Sequence, residues 1–131
     1  MKQLSENVWE FDPQIYPQYL WIAVSPTEEE IKKFSYSGSG NELEFNKEKA
    51  YATVYHVRQK DDQDTGPLII FKDKESLSFD IVAHESLHVA SFIADICNLK
   101  YDYENDEHFA YLIGWVAECC EKIKKEYDNR D

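Results

Sequence analysis

His84-Glu85-Ser86-Leu87-His88 sets two imidazoles four residues apart with a carboxylate between them. On an α-helix, side chains at i and i+4 lie one above the other, so both rings can grip a single metal ion. Glu85 then projects about 80° round the helix from the midpoint of that pair, beside the ion rather than in its cage. A general base stands there to take a proton from a zinc-bound water. The chemistry these types and spacings suggest is metal-assisted hydrolysis, with His84 and His88 as metal ligands and Glu85 as the base.

The element that must carry them is legible. Ser76 to Cys97 reads as one long helix, with Ser76 or Ser78 as N-cap and Asp80 in the first turn, where the helix dipole favours a carboxylate. Phe79, Ile81, Val82, Ala83, Leu87, Val89, Ala90, Phe92, Ile93, Ala94 and Ile96 make most of its surface apolar, which predicts a buried helix. One polar stripe crosses it: Asp80, His84, His88, Ser91 and Asp95. Buried without partners the stripe would cost several kcal/mol, so it is expected to face a cleft or polar partners.

A catalytic zinc takes three protein ligands and keeps one open position. The third ligand is expected from another element, and Glu107 is the first choice. Asn105-Asp106-Glu107 opens a last helix, with Asn105 as N-cap and Phe109, Leu112/Ile113, Val116, Cys120 and Ile123 as its apolar stripe. Glu107, Ala110, Tyr111 and Gly114 share a separate face, whose small residues would let it approach the metal helix. His108, Glu104, Asp106 and the more distant His56 compete for the role.

Upstream, Tyr19–Val24 reads as a buried strand, and Ser25-Pro26-Thr27-Glu28-Glu29-Glu30 starts a short helix running to about Phe34. Ser35–Gly40 is expected to be a flexible loop. From Ala50 to Arg58 the chain alternates, with Tyr51, Thr53, Tyr55 and Val57 facing one way and Ala52, Val54 and His56 the other. Asp61–Gly66 reads as a turn, and Pro67–Phe71 as a second strand paired to the first as a hairpin. The fold class expected is α+β: a small sheet of three to four strands, a short N-terminal helix, the buried active-site helix and the C-terminal glutamate helix on one face.

At 131 residues and 43% hydrophobic content the chain is expected to form one domain, 1–131, with a core of its own. A net charge of −12 argues against nucleic acid and anionic membrane surfaces as partners. No apolar run approaches the ~20 residues that span a bilayer. Met1–Asn7 lacks the apolar segment of a secretory signal, and Cys97, Cys119 and Cys120 lack a disulfide-framework spacing; together these predict reduced thiols and a cytoplasmic location.

The run Asp80-Ile-Val-Ala-His-Glu-Ser-Leu-His-Val89, with Glu107 following, resembles the active-site segment of the gluzincin metallopeptidases. In size the chain is more similar to minimal gluzincins, to IrrE-type peptidases and to phage-encoded peptidases, and Glu107-His-Phe-Ala110 faintly echoes the IrrE-type glutamate segment. The resemblance, covering about residues 67 to 118, implies a zincin-like fold whose edge strand holds peptide substrate by β-augmentation. Where thermolysin-like enzymes carry an aspartate one turn after the glutamate, this chain has Tyr111, so the groups supporting the ligands must differ.

The function this implies is hydrolysis of peptide bonds in a protein or peptide substrate, with one Zn2+ per chain held by His84, His88 and Glu107. Glu85 would take the water proton and pass it to the leaving amine. The oxyanion needs a donor, with Tyr111 the first candidate and Tyr103, Tyr101 and His108 behind it; Asp95 or Asp80 could orient a ligand histidine. The alternative is a catalytically inactive zinc-binding interaction or regulatory protein of peptidase descent. A metal-dependent nuclease ranks last, because the charge is wrong for it.

Overall fold

The computed structural model describes residues 1–45 and 50–130. In chain order the strands are β1 (Lys2–Ser5), β2 (Val8–Phe11), β3 (Leu20–Val24), β4 (Phe34–Tyr36), β5 (Ala52–Gln59) and β6 (Thr65–Phe71). The helices are α1 (Glu28–Ile31), α2 (Phe79–Ile96) and α3 (Glu107–Arg130). The class is α+β, but the strands form one six-stranded mixed sheet in the order β1-β2-β3-β6-β5-β4, not a sheet of three to four. All neighbours are antiparallel except β3 and β6.

The central strands explain themselves. β3 and β6 have both faces covered, so their sequences run as continuous apolar stretches rather than alternating. Leu20, Ile22, Val24, Ile69 and Phe71 point into the larger core, shared with Trp9, Phe11 and helices α2 and α3. Trp21, Ala23, Leu68 and Ile70 point the other way, into a smaller core with Val8, Phe34 and Val57, against which Ile31 of α1 packs. Gly66 is required where it stands: a Cβ there would lie 2.0 Å from the Tyr19 carbonyl oxygen.

The β5–β6 hairpin is as the alternation predicts, with strands extending to Gln59 and back from Thr65, so the turn is shorter than Asp61–Gly66. Other boundaries move. α1 stops at Ile31, held by a capping box between Thr27 and Glu30, and Phe34, expected to end that helix, starts β4. Ser35 and Tyr36, expected in a flexible loop, are strand residues paired with Arg58 and Val57.

Ser76 lies in a 3-10 turn capped by Asp73, and Ser78 takes the N-cap position of α2 without capping through its own hydroxyl, which donates to Asp80 instead. α2 ends in a Schellman motif: Asn98 adopts φ 58, its N–H reaches the Asp95 carbonyl, and the Leu99 N–H reaches Ala94. A short return then starts α3 one residue later than Asn105 would cap it; the Asp106 carbonyl accepts from the Ala110 N–H. Leu77–Val82 meet Ala117–Lys124, so the two helices run antiparallel.

Their contact is made by Val89, Ala90, Ile93 and Ala94 against Phe109, Leu112, Val116, Cys119, Cys120 and Ile123. The face carrying Glu107, Ala110, Tyr111 and Gly114 is therefore not the one laid on α2. All four residues are exposed, and a Cβ on Gly114 would meet nothing within 4 Å. The apolar stripe decides which side of α3 turns inward. Nor is α2 buried on most sides: Phe79 is 91% exposed, and the polar stripe faces solvent.

Candidate active site

Between α2 and the first half of β5 lies a cleft of about 590 Å³. His84, Glu85, His88, Ser91, Phe92 and Asp95 line it from the helix, and Ala52, Thr53, Val54 and His56 from the strand. Four of the five stripe residues thus share one concavity; Asp80, at the helix start, is outside it and bonds Ser78.

The two imidazoles converge. Their Nε2 atoms are 3.2 Å apart and their ring centroids 4.9 Å, with the rings at 70°. A tetrahedral zinc with Zn–N bonds of about 2.0–2.1 Å requires its ligand nitrogens about 3.3 Å apart, so this separation fits a shared zinc. The His84 side chain is 68% exposed, leaving the nitrogens open to an ion from solvent. Glu85 sits as the helical geometry requires: its Oε1 is 4.0 Å from His84 Nε2, with the side chain 9% exposed. Burial raises its pKa, and the neighbouring His84 and His88 only partly offset this. A carboxylate made more basic by its pocket is suited to accepting a proton.

The remaining candidates are dispersed. Among the described residues no group of three or more His, Cys, Asp and Glu is placed to hold one ion, so Glu107, His108, Glu104, Asp106 and His56 do not join the pair here. Glu107 is exposed in the first turn of α3. Tyr111, Tyr103 and Tyr101 are 76%, 81% and 57% exposed, and none lines the cleft. His108 is half-buried with an unpartnered Nε2.

His56 is the group whose place sequence reasoning undervalued. Its ring stacks on Phe92 at 3.6 Å between centroids and 24° between planes. Burial lowers its pKa. The signal was the alternation of β5, which sets His56 on the same side as Ala52 and Val54, the side that the helices cover.

The strand edge that adjoins the cleft has no partner strand among the described residues. β4 pairs only with Val57–Gln59 of β5, and the Ser37 N–H reaches the His56 carbonyl. Beyond that point Ala52–Tyr55 pair with β6 alone among the described strands. Among the described residues, no helix is long and apolar enough to cross a membrane. Compared with known protein families, curated proteins and solved structures, the chain finds no match.

Proposed function

We propose that the chain is a zinc-dependent peptidase of gluzincin-like type acting on an extended peptide segment. The observation that carries this is the 3.2 Å separation of His84 and His88 Nε2 beside the buried carboxylate of Glu85, in a cleft bordered by a strand edge. His84 and His88 would hold the ion, with Glu107 as third ligand on residue type and chain spacing. When bound, zinc supplies Lewis-acid polarisation of the scissile carbonyl and lowers the pKa of water. Glu85 accepts the proton of the attacking water and delivers it to the leaving amine. The burial of the Glu85 side chain itself limits the solvent competing for that carboxylate. Ala52–Tyr55 offer backbone groups to a peptide lying along β5.

Protein purified without a metal-affinity tag should carry one zinc per chain, and the Glu85→Gln variant should keep that zinc while losing cleavage of an unfolded protein such as casein. Cleavage at the original rate by the variant would remove Glu85 from the mechanism. The exposure of Glu107 favours a second reading, a zinc-binding interaction protein without turnover. It predicts zinc in both proteins and cleavage by neither.

A further inference from the structure

Resting on the peptidase reading, we propose that His56 is the catalytic hydrogen-bond donor to the scissile carbonyl oxygen, the role the tyrosines were expected to fill. Tyr111, Tyr103 and Tyr101 stand exposed and outside the cleft, whereas His56 lines it from the wall opposite the metal-binding pair. An oxyanion donor must be held in place before reaction, because only then does it cost no reorganisation as charge develops. His56 meets that requirement twice. Its backbone is clamped in β5, opposite Pro67 of β6 and with its carbonyl bonded to Ser37. Its ring is clamped flat on Phe92.

Placement along α2 separates this role from metal binding. Phe92 lies four residues beyond His88, one turn or about 6 Å of rise. An imidazole stacked there belongs to the part of the cleft where substrate lies, and it forms no metal-holding group with the pair. Among the other lining residues, Asp95 as a carboxylate would repel an oxyanion, the Thr53 side chain is engaged in a hydrogen bond with Tyr55, and Ser91 carries its hydroxyl on an exposed, rotatable side chain. His56 is exposed toward the cleft, and desolvation lowers its pKa from the ordinary 6.5, so at neutral pH the imidazole is mostly neutral, with one N–H to give and one nitrogen to accept.

The experiment uses two variants. His56→Phe keeps a ring on Phe92 and removes the donor; His56→Gln removes the ring and keeps an N–H. Zinc content, casein turnover and the affinity of an alanine-based phosphinic tetrapeptide, whose tetrahedral PO2 group mimics the oxyanion, are measured for each. Full zinc in all three proteins is expected. In His56→Phe, kcat and phosphinic-peptide affinity should fall about 100-fold with KM little changed, and His56→Gln should recover part of both. Wild-type values in His56→Phe would overturn the assignment while leaving the peptidase reading intact. Loss of zinc from either variant would overturn it by making His56 a metal ligand. Wild-type protein that takes up zinc but binds no phosphinic peptide would overturn both readings.

Discussion

At the residue scale, the convergence of His84 and His88 beside Glu85 was legible because their relation is local. Four residues of α-helix fix the separation of His84 and His88 whatever else the chain does, and the same periodicity predicted that Ser91 and Asp95 would share their cleft. The distant contributors were not legible, because the side of α3 that turns inward is set by Leu112, Val116 and Cys120 rather than by the chemistry of Glu107 or Tyr111. His84→Ala and His88→Ala should each abolish stoichiometric zinc, measured on dialysed protein; full retention in both would remove the site. Glu85→Gln should lower kcat by about 10²–10⁴. The same variant, metal-free, should melt above metal-free wild type at pH 7. Burial disfavours the ionised carboxylate, and a neutral amide of the same size relieves that penalty. An unchanged or lower melting temperature would show that Glu85 is not under electrostatic strain.

At the scale of elements, the sheet divides into strands the sequence announces and strands it does not. β3 and β6 are apolar on both faces, and β5 alternates over eight residues, so each carries its own signal. β1 is four residues of mostly polar chain, β2 four and β4 three; their partners rather than their composition define them. β4 is the instructive case. Ser35 in a Ser/Gly-rich stretch looks like loop, yet pairing with Arg58 buries it to 7% exposure. That short strand stops at Tyr36, and among the described strands none continues its pairing along Ala52–Tyr55 beside the cleft. The parallel contact of β3 with β6 is what Gly66 allows, since any side chain there would strike the Tyr19 backbone. Gly66→Ala should therefore destabilise the protein by about 3 kcal/mol or more, read from urea unfolding. A cost below 1 kcal/mol would mean that the start of β6 shifts freely.

At the scale of the whole molecule, contacts far apart in sequence draw the first hairpin to the rest of the fold. The Tyr127 hydroxyl donates to Asn7, Arg130 to the Glu6 carbonyl, and Glu30 of α1 accepts from Ser5, from the Asn7 backbone and side chain, and from Thr27. Partial burial alone would raise the Glu30 pKa, but those hydrogen bonds outweigh it and bring it down to about 2 from an ordinary 4.5. The sign of the pH effect follows. The folded state holds the proton less tightly than the unfolded chain, so the stability Glu30 adds is complete above pH 4.5 and is lost as pH falls toward 2. Because Glu30 is partly exposed, solvent screens the effect, and it should shrink further in high salt. A net charge of −12 works in the opposite direction, since mild acidification relieves self-repulsion in the folded state. The two are separated by comparing wild type with Glu30→Gln, which leaves the general repulsion nearly unchanged. Wild type should unfold at higher urea concentration than the variant at pH 6, and the gap should close steadily between pH 4.5 and pH 2. A gap that stays constant over that range would show that Glu30 acts through packing rather than through its charge.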